Sequence, residues 1–177
     1  MAIKLGVSGL GSFAQAFIPI FRAHPLVDEI IAADPINARR TPAEDAFGIA
    51  TCDTQEQLLD IDRLDAVAIF TQRWLHAPQA VQALDAGKMV YSAVPAAISV
   101  EEMTRIINAV NRTNLIYMLG ETSFYYPGAI YTRAKFRAGE LGSFVYGEGE
   151  YYHDMEHGFY PPYRAGTVDL GFRSRFP

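Results

Sequence analysis

Between a short apolar run, Ile3–Ser8, and a helix-forming stretch from Ser12 lies Gly9-Leu10-Gly11-Ser12-Phe13-Ala14. This pattern leaves a chain few options. The first glycine permits a tight strand-to-helix turn, the second lets the backbone approach a bound group, and the small Ala14 lets helix and strand pack closely. The N-terminus of the following helix offers free N–H groups and a positive dipole end to phosphates. Asp34 follows Ala14 by twenty residues and closes a second apolar run. An acid there accepts hydrogen bonds from ribose hydroxyls. The pattern predicts a dinucleotide site built from Gly9, Gly11, Ser12, Phe13, Ala14 and Asp34. The charge of Asp34 repels a 2′-phosphate and favours NAD, while Arg39 and Arg40 nearby leave NADP open.

The chain continues in alternation as far as Gly120. Apolar runs at Glu29–Ala33, Asp65–Phe70, Met89–Val94 and Leu115–Leu119 read as strands. Stretches 12–23, 55–60, 77–86 and 99–112 read as helices. In the helix 12–23 the predicted apolar face is Phe13, Ala16, Phe17 and Ile20, with Pro19 expected to kink it. Thr41-Pro42-Ala43-Glu44 and Ser99/Glu102 have the form of capping boxes. Strands that are apolar throughout, separated by single helices, imply a parallel sheet covered on both faces. Right-handed crossovers then predict an α/β fold of the Rossmann type, a doubly wound parallel sheet over residues 1–120.

Composition excludes several classes. Half of the 177 residues are hydrophobic, a fifth are charged, and the net charge is −5. That charge gives no footprint for nucleic acid. No apolar run approaches the ~18 residues of a membrane span, and the N-terminus carries no signal-peptide pattern, so a cytoplasmic protein is expected. The single cysteine, Cys52, reads as a packed or edge residue, because nothing near it would activate a thiolate.

Beyond Gly120 the chain becomes rich in aromatics, glycine and proline. A helix is predicted over Gly128–Ala138 and a long strand over Phe144–His153. Tyr151, Tyr152, His153, Asp154 and His157 form a polar cluster, expected to line a substrate cleft or lie on the surface, and no metal site is expected from it. Glu121 is expected to touch a substrate or cap the next helix. Nine Phe or Tyr residues fall within 144–177. One strand cannot bury that load, so the segment is expected either to pack poorly or, the favoured outcome, to be completed by strand pairing with another copy in a homodimer or higher homo-oligomer. Earlier in the chain, Thr71 to His76 follows a strand at the edge where open parallel sheets bind ligands. His76 is expected to cap the following helix or to face the cofactor. Trp74 is expected to cover the cofactor or pack on a loop.

Several runs together resemble the Gfo/Idh/MocA family of NAD(P)-dependent oxidoreductases. They are the glycine motif, AVQALDAGKMVYSAVP after His76, SVEEMTRIINAVNRTNLIYMLGET, and AKFRAGELGSFVYGEGEYYHD. The resemblance covers about residues 1–157. It implies a Rossmann domain followed by an α/β domain on an open sheet, of which residues 121–177 are the incomplete start. It implies hydride transfer on a sugar, polyol or related hydroxyl compound, or, as in one branch, glycoside hydrolysis with NAD. The family's usual Glu-Lys-Pro is matched here by Ala93-Val94-Pro95. Pro95 keeps the turn beside the cofactor, but Val94 replaces the lysine and can neither donate a proton nor hold a hydroxyl. A base must then come from elsewhere, and Tyr126, His153 and His157 are the candidates. A non-catalytic dinucleotide-binding module is the competing reading.

Overall fold

The computed structural model describes residues 2–150 and 152. The chain divides into two compact units between Gly120 and Glu121.

In the first unit, β1 (Ile3–Ser8), β2 (Val27–Ala33), β3 (Ala50–Cys52), β4 (Ala66–Ile69), β5 (Met89–Ser92) and β6 (Tyr117–Leu119) form one sheet. The order is β3-β2-β1-β4-β5-β6 and every pairing is parallel. The order reverses between β1 and β4, which is where a doubly wound sheet opens a crevice at its carboxyl edge.

The strands are apolar on both faces because both faces are covered. On one side Leu5, Val7, Ile30, Ala32, Ala68 and Phe70 pack against α1 (Ser12–Ala23) and α2 (Asn37–Phe47). On the other, Ile31, Val67, Ile69 and Val90 pack against α3 (Gln55–Leu59), α4 (Arg73–Asp85) and α5 (Val100–Thr113). Burying one such aliphatic side chain contributes about 1.5–3 kcal/mol.

Several boundaries differ from the sequence expectation. β3 was not foreseen; it is three residues long at the sheet edge, too short to show a period. α2 begins at Asn37 and α4 at Arg73, so Thr41 is not a cap and Pro42 and Pro78 lie inside helices. The buried face of α1 is Ala14, Phe17, Ile18 and Phe21; Ala16 and Ile20 are exposed. α1 also runs through Pro19 as one helix, and that proline is exposed, where water can serve the carbonyl it leaves unpaired. Ser99 does cap α5, its Oγ accepting from Glu102 N at 3.1 Å, while Glu102 Oε2 accepts from Ile98 N at 3.0 Å.

The second unit, in its described part, holds a short 3₁₀ turn (Ser123–Tyr125) and α6 (Pro127–Arg137). Glu121 Oε1 accepts from Ser123 N at 2.8 Å and fastens that turn. The Arg133 guanidinium lies 3.6 Å from the centre of the Phe124 ring. The strand expected over Phe144–His153 does not form in its described part: residues 143–150 and 152 pair with no neighbouring strand. Without a described partner strand, its apolar residues gain nothing from extended pairing.

Candidate functional site

The glycine loop joins β1 to α1 at the point of strand reversal. Gly9 has φ +91°, and a Cβ there would lie 2.9 Å from the Phe70 carbonyl oxygen, so both conformation and space demand glycine. Gly11 is different. Its φ is −67°, open to any residue, and a Cβ would meet nothing within 4 Å. Nothing among the described residues requires glycine at that position; what the missing side chain leaves is an open cradle beside the first turn of α1. Ser12 and Phe13 are exposed, Phe13 at 52%, with its ring edge-on to Phe70 at 5.8 Å. Ala14 is fully buried against the sheet, the packing role expected of the third small residue. A pyrophosphate fits this cradle: open backbone at Gly11, an uncapped helix end, and no acidic residue in the first turn.

Asp34 stands at the end of β2, 2% exposed. Its Oδ2 accepts from Leu10 N at 2.8 Å and its Oδ1 from Ile36 N at 2.9 Å. The carboxylate thus fastens the glycine loop to β2. Two oxygens with four lone-pair positions keep capacity for ribose hydroxyls. Arg39 Nη1 lies 3.7 Å from Asp34 Oδ2, and Arg40 donates to the Asp34 carbonyl at 2.6 Å while pairing with Asp53 at 2.7 Å. Arg40 is therefore committed within the protein, and Arg39, 35% exposed, is the cation nearest the acid.

Across the crevice, the chain leaves β4 through Thr71 and β5 through Pro95. His76 is 2% exposed in the first turn of α4 and caps nothing. Its Nδ1 lies 2.7 Å from Pro95 O and its Nε2 2.9 Å from Thr71 O. The Thr71 hydroxyl donates to Gln79 Oε1. Val94, the residue before Pro95, is 46% exposed. The bridge made by His76 had no local signal, because its partner Pro95 is nineteen positions away.

Among the other candidates, Tyr126 is the residue before α6, 60% exposed, in the second unit. His153 and His157 lie outside the described residues, as do Tyr151 and Asp154. Cys52 sits in β3; burial pushes its thiol up, against the backbone hydrogen bond at Thr54, which suits a packed edge residue and not a nucleophile. No group of three metal-ligating side chains occurs among the described residues. No helix among them is long and apolar enough to cross a membrane.

The six-stranded parallel sheet, the loop at its reversal point and the acid ending β2 define a dinucleotide-binding Rossmann domain. The model of the Gfo/Idh/MocA group, described as an oxidoreductase family with an NAD-binding Rossmann fold, matches residues 3–121, and the chain belongs to that family. An uncharacterized oxidoreductase of Streptococcus pneumoniae is 24% identical over 144 residues, 81% of this chain and 39% of that protein. An alpha-N-acetylgalactosaminidase of Bacteroides fragilis is 33% identical over 103 residues, 58% of this chain and 24% of that one. The scyllo-inositol dehydrogenase of Lactobacillus casei, solved with NAD(H) and scyllo-inositol, superposes with a TM-score of 0.76 at 23% identity, covering 81% of this chain and 43% of that one. The chain thus spans less than half the length of each of these proteins.

Proposed function

We propose that this chain binds NAD and serves an enzyme that moves hydride to or from a hydroxyl-bearing carbon of a sugar or polyol. The observation that carries the reading is Gly11. Packing and backbone conformation both permit a side chain there, which supports a ligand as the reason for the glycine. When bound, the nicotinamide supplies the hydride acceptor or donor. The chain's own part is to seat the pyrophosphate on Gly9–Ala14, to accept the ribose hydroxyls at Asp34, and to frame the other end with Thr71, His76 and Pro95. A proton-transferring group is needed as well. Tyr126, His153 and His157 are proposed for it, since Val94 has no proton to give. Arg39 beside Asp34 keeps NADP as a weaker second ligand.

Glycoside hydrolysis with retained NAD is the second reading. It is favoured by Val94 in the lysine position and by the match to the galactosaminidase. Cofactor retention through purification, read by absorbance and mass spectrometry, separates the two: tightly held NAD supports the hydrolase, and exchangeable NAD the dehydrogenase. A purified chain that neither retains nor binds NAD or NADP contradicts both. A cytoplasmic setting belongs to the same proposal. So does a homodimer, supported by the exposed Phe144, Val145 and Tyr146. Light scattering tests it: twice the 19.6 kDa chain mass is expected, and a monodisperse monomer contradicts it.

A further inference from the structure

We propose that His76 is a positioning residue for the half of the cleft over β4 and β5, through hydrogen bonds separate from those that hold the half over β1 and β2. The proposal rests on the dinucleotide reading above. β4 and β5 are parallel neighbours, and both leave the sheet at its ligand-binding edge. One buried imidazole spans the two exits, reaching Pro95 O at 2.7 Å and Thr71 O at 2.9 Å. Both partners are carbonyl oxygens, and each contact is a hydrogen bond when the nitrogen it uses carries hydrogen; a neutral ring donates to one at a time. Three residues further along the same helix, Gln79 accepts from the Thr71 hydroxyl. α4 therefore holds Thr71 by backbone and side chain and reaches across to the Pro95 turn, which carries the exposed Val94.

The adenosine side is held by a separate set. Asp34 fastens Leu10 and Ile36 there, and no hydrogen bond of His76 reaches that group. With the pyrophosphate at the β1 loop and the ribose acid at β2, the nicotinamide half falls to the β4–β5 side. A change at His76 should then be felt by one half of the dinucleotide and not by the other.

The test compares NADH with ADP-ribose, which lacks the nicotinamide, on the full chain by calorimetry. His76→Phe keeps an aromatic ring and removes both ring nitrogens; His76→Asn keeps an amide near the Nδ1 position. NADH affinity is expected to fall about tenfold in His76→Phe, the scale of one lost buried hydrogen bond, and less in His76→Asn, with ADP-ribose within about twofold in both. Circular dichroism reports folding, and should the phenylalanine chain not fold, the asparagine variant carries the comparison. Equal losses for the two ligands overturn the inference, because a merely structural histidine would weaken both. So does NADH affinity unchanged in a folded variant. Wild-type chain that binds neither ligand overturns the dinucleotide reading itself, and the inference with it.

Discussion

At the residue scale, Asp34 and Gly11 carry different loads. Asp34 is a structural acceptor for Leu10 N and Ile36 N, and it is the residue proposed to accept the ribose hydroxyls. Asp34→Ala should therefore cost about 1–3 kcal/mol of stability and a similar amount of NAD affinity. Urea unfolding and calorimetry read the two separately; a variant of unchanged stability would show that the buried bonds to Leu10 and Ile36 contribute nothing. Tyr117 supplies a second residue-level prediction. Its hydroxyl is buried near Ser92 and has no hydrogen-bond partner among the described residues, and burial pushes its phenol up. A raised folded value means that the neutral phenol is the form the fold favours. The stability tied to it is complete below the unfolded value of about 10 and is lost as pH rises through the folded one. Tyr117→Phe should be neutral or stabilising at pH 7, and its advantage should grow above pH ~10. Denaturation midpoints across pH 7–11, a window set around the ordinary phenol value of about 10, measure this, and a parallel decline in both chains would refute it.

At the element scale, the cap on α5 is the simplest quantity. Ser99→Ala removes the acceptor for Glu102 N and should cost about 0.5–2 kcal/mol, with cofactor affinity unchanged. An unchanged unfolding midpoint would show the contact to be idle. Ser99 was legible because the cap signal is local. The same holds for β1, α1 and the Gly9–Ala14 loop, where the spacing of small residues and the strand-to-helix switch occupy one short stretch. The starts of α2 and α4 were not legible. Pro42 and Pro78 read as first-turn prolines, yet each sits in the sixth position of its helix. Ala38, four residues before Pro42, is exposed, so its unpaired carbonyl can be met by water at little cost. The face of α1 was misread because Ala16 and Ile20 are apolar but turned outward, while Ile18 and Phe21 meet the sheet. Periodicity cannot choose between two apolar stripes when the helix is apolar nearly all round. The His76 bridge needed tertiary contact to appear at all.

At the scale of the whole molecule, the first unit has the core, the topology and the loop that a dinucleotide needs. A ligand that binds only the folded chain adds stability by mass action. NADH at about 100 times its dissociation constant should add about 2.7 kcal/mol, visible as a raised thermal midpoint. The most direct test of the account uses Gly11 and the single tryptophan, Trp74, which lies in the first turn of α4. NADH is titrated into wild-type and Gly11→Val chains while Trp74 emission and energy transfer to the nicotinamide are followed. Because a Cβ at Gly11 meets nothing within 4 Å and φ is −67°, the variant should unfold at the wild-type temperature. Saturable transfer in the wild type, abolished in a Gly11→Val chain of unchanged midpoint, is the predicted result. Equal NADH binding by the two chains would contradict the claim that the Gly9–Ala14 loop seats the cofactor.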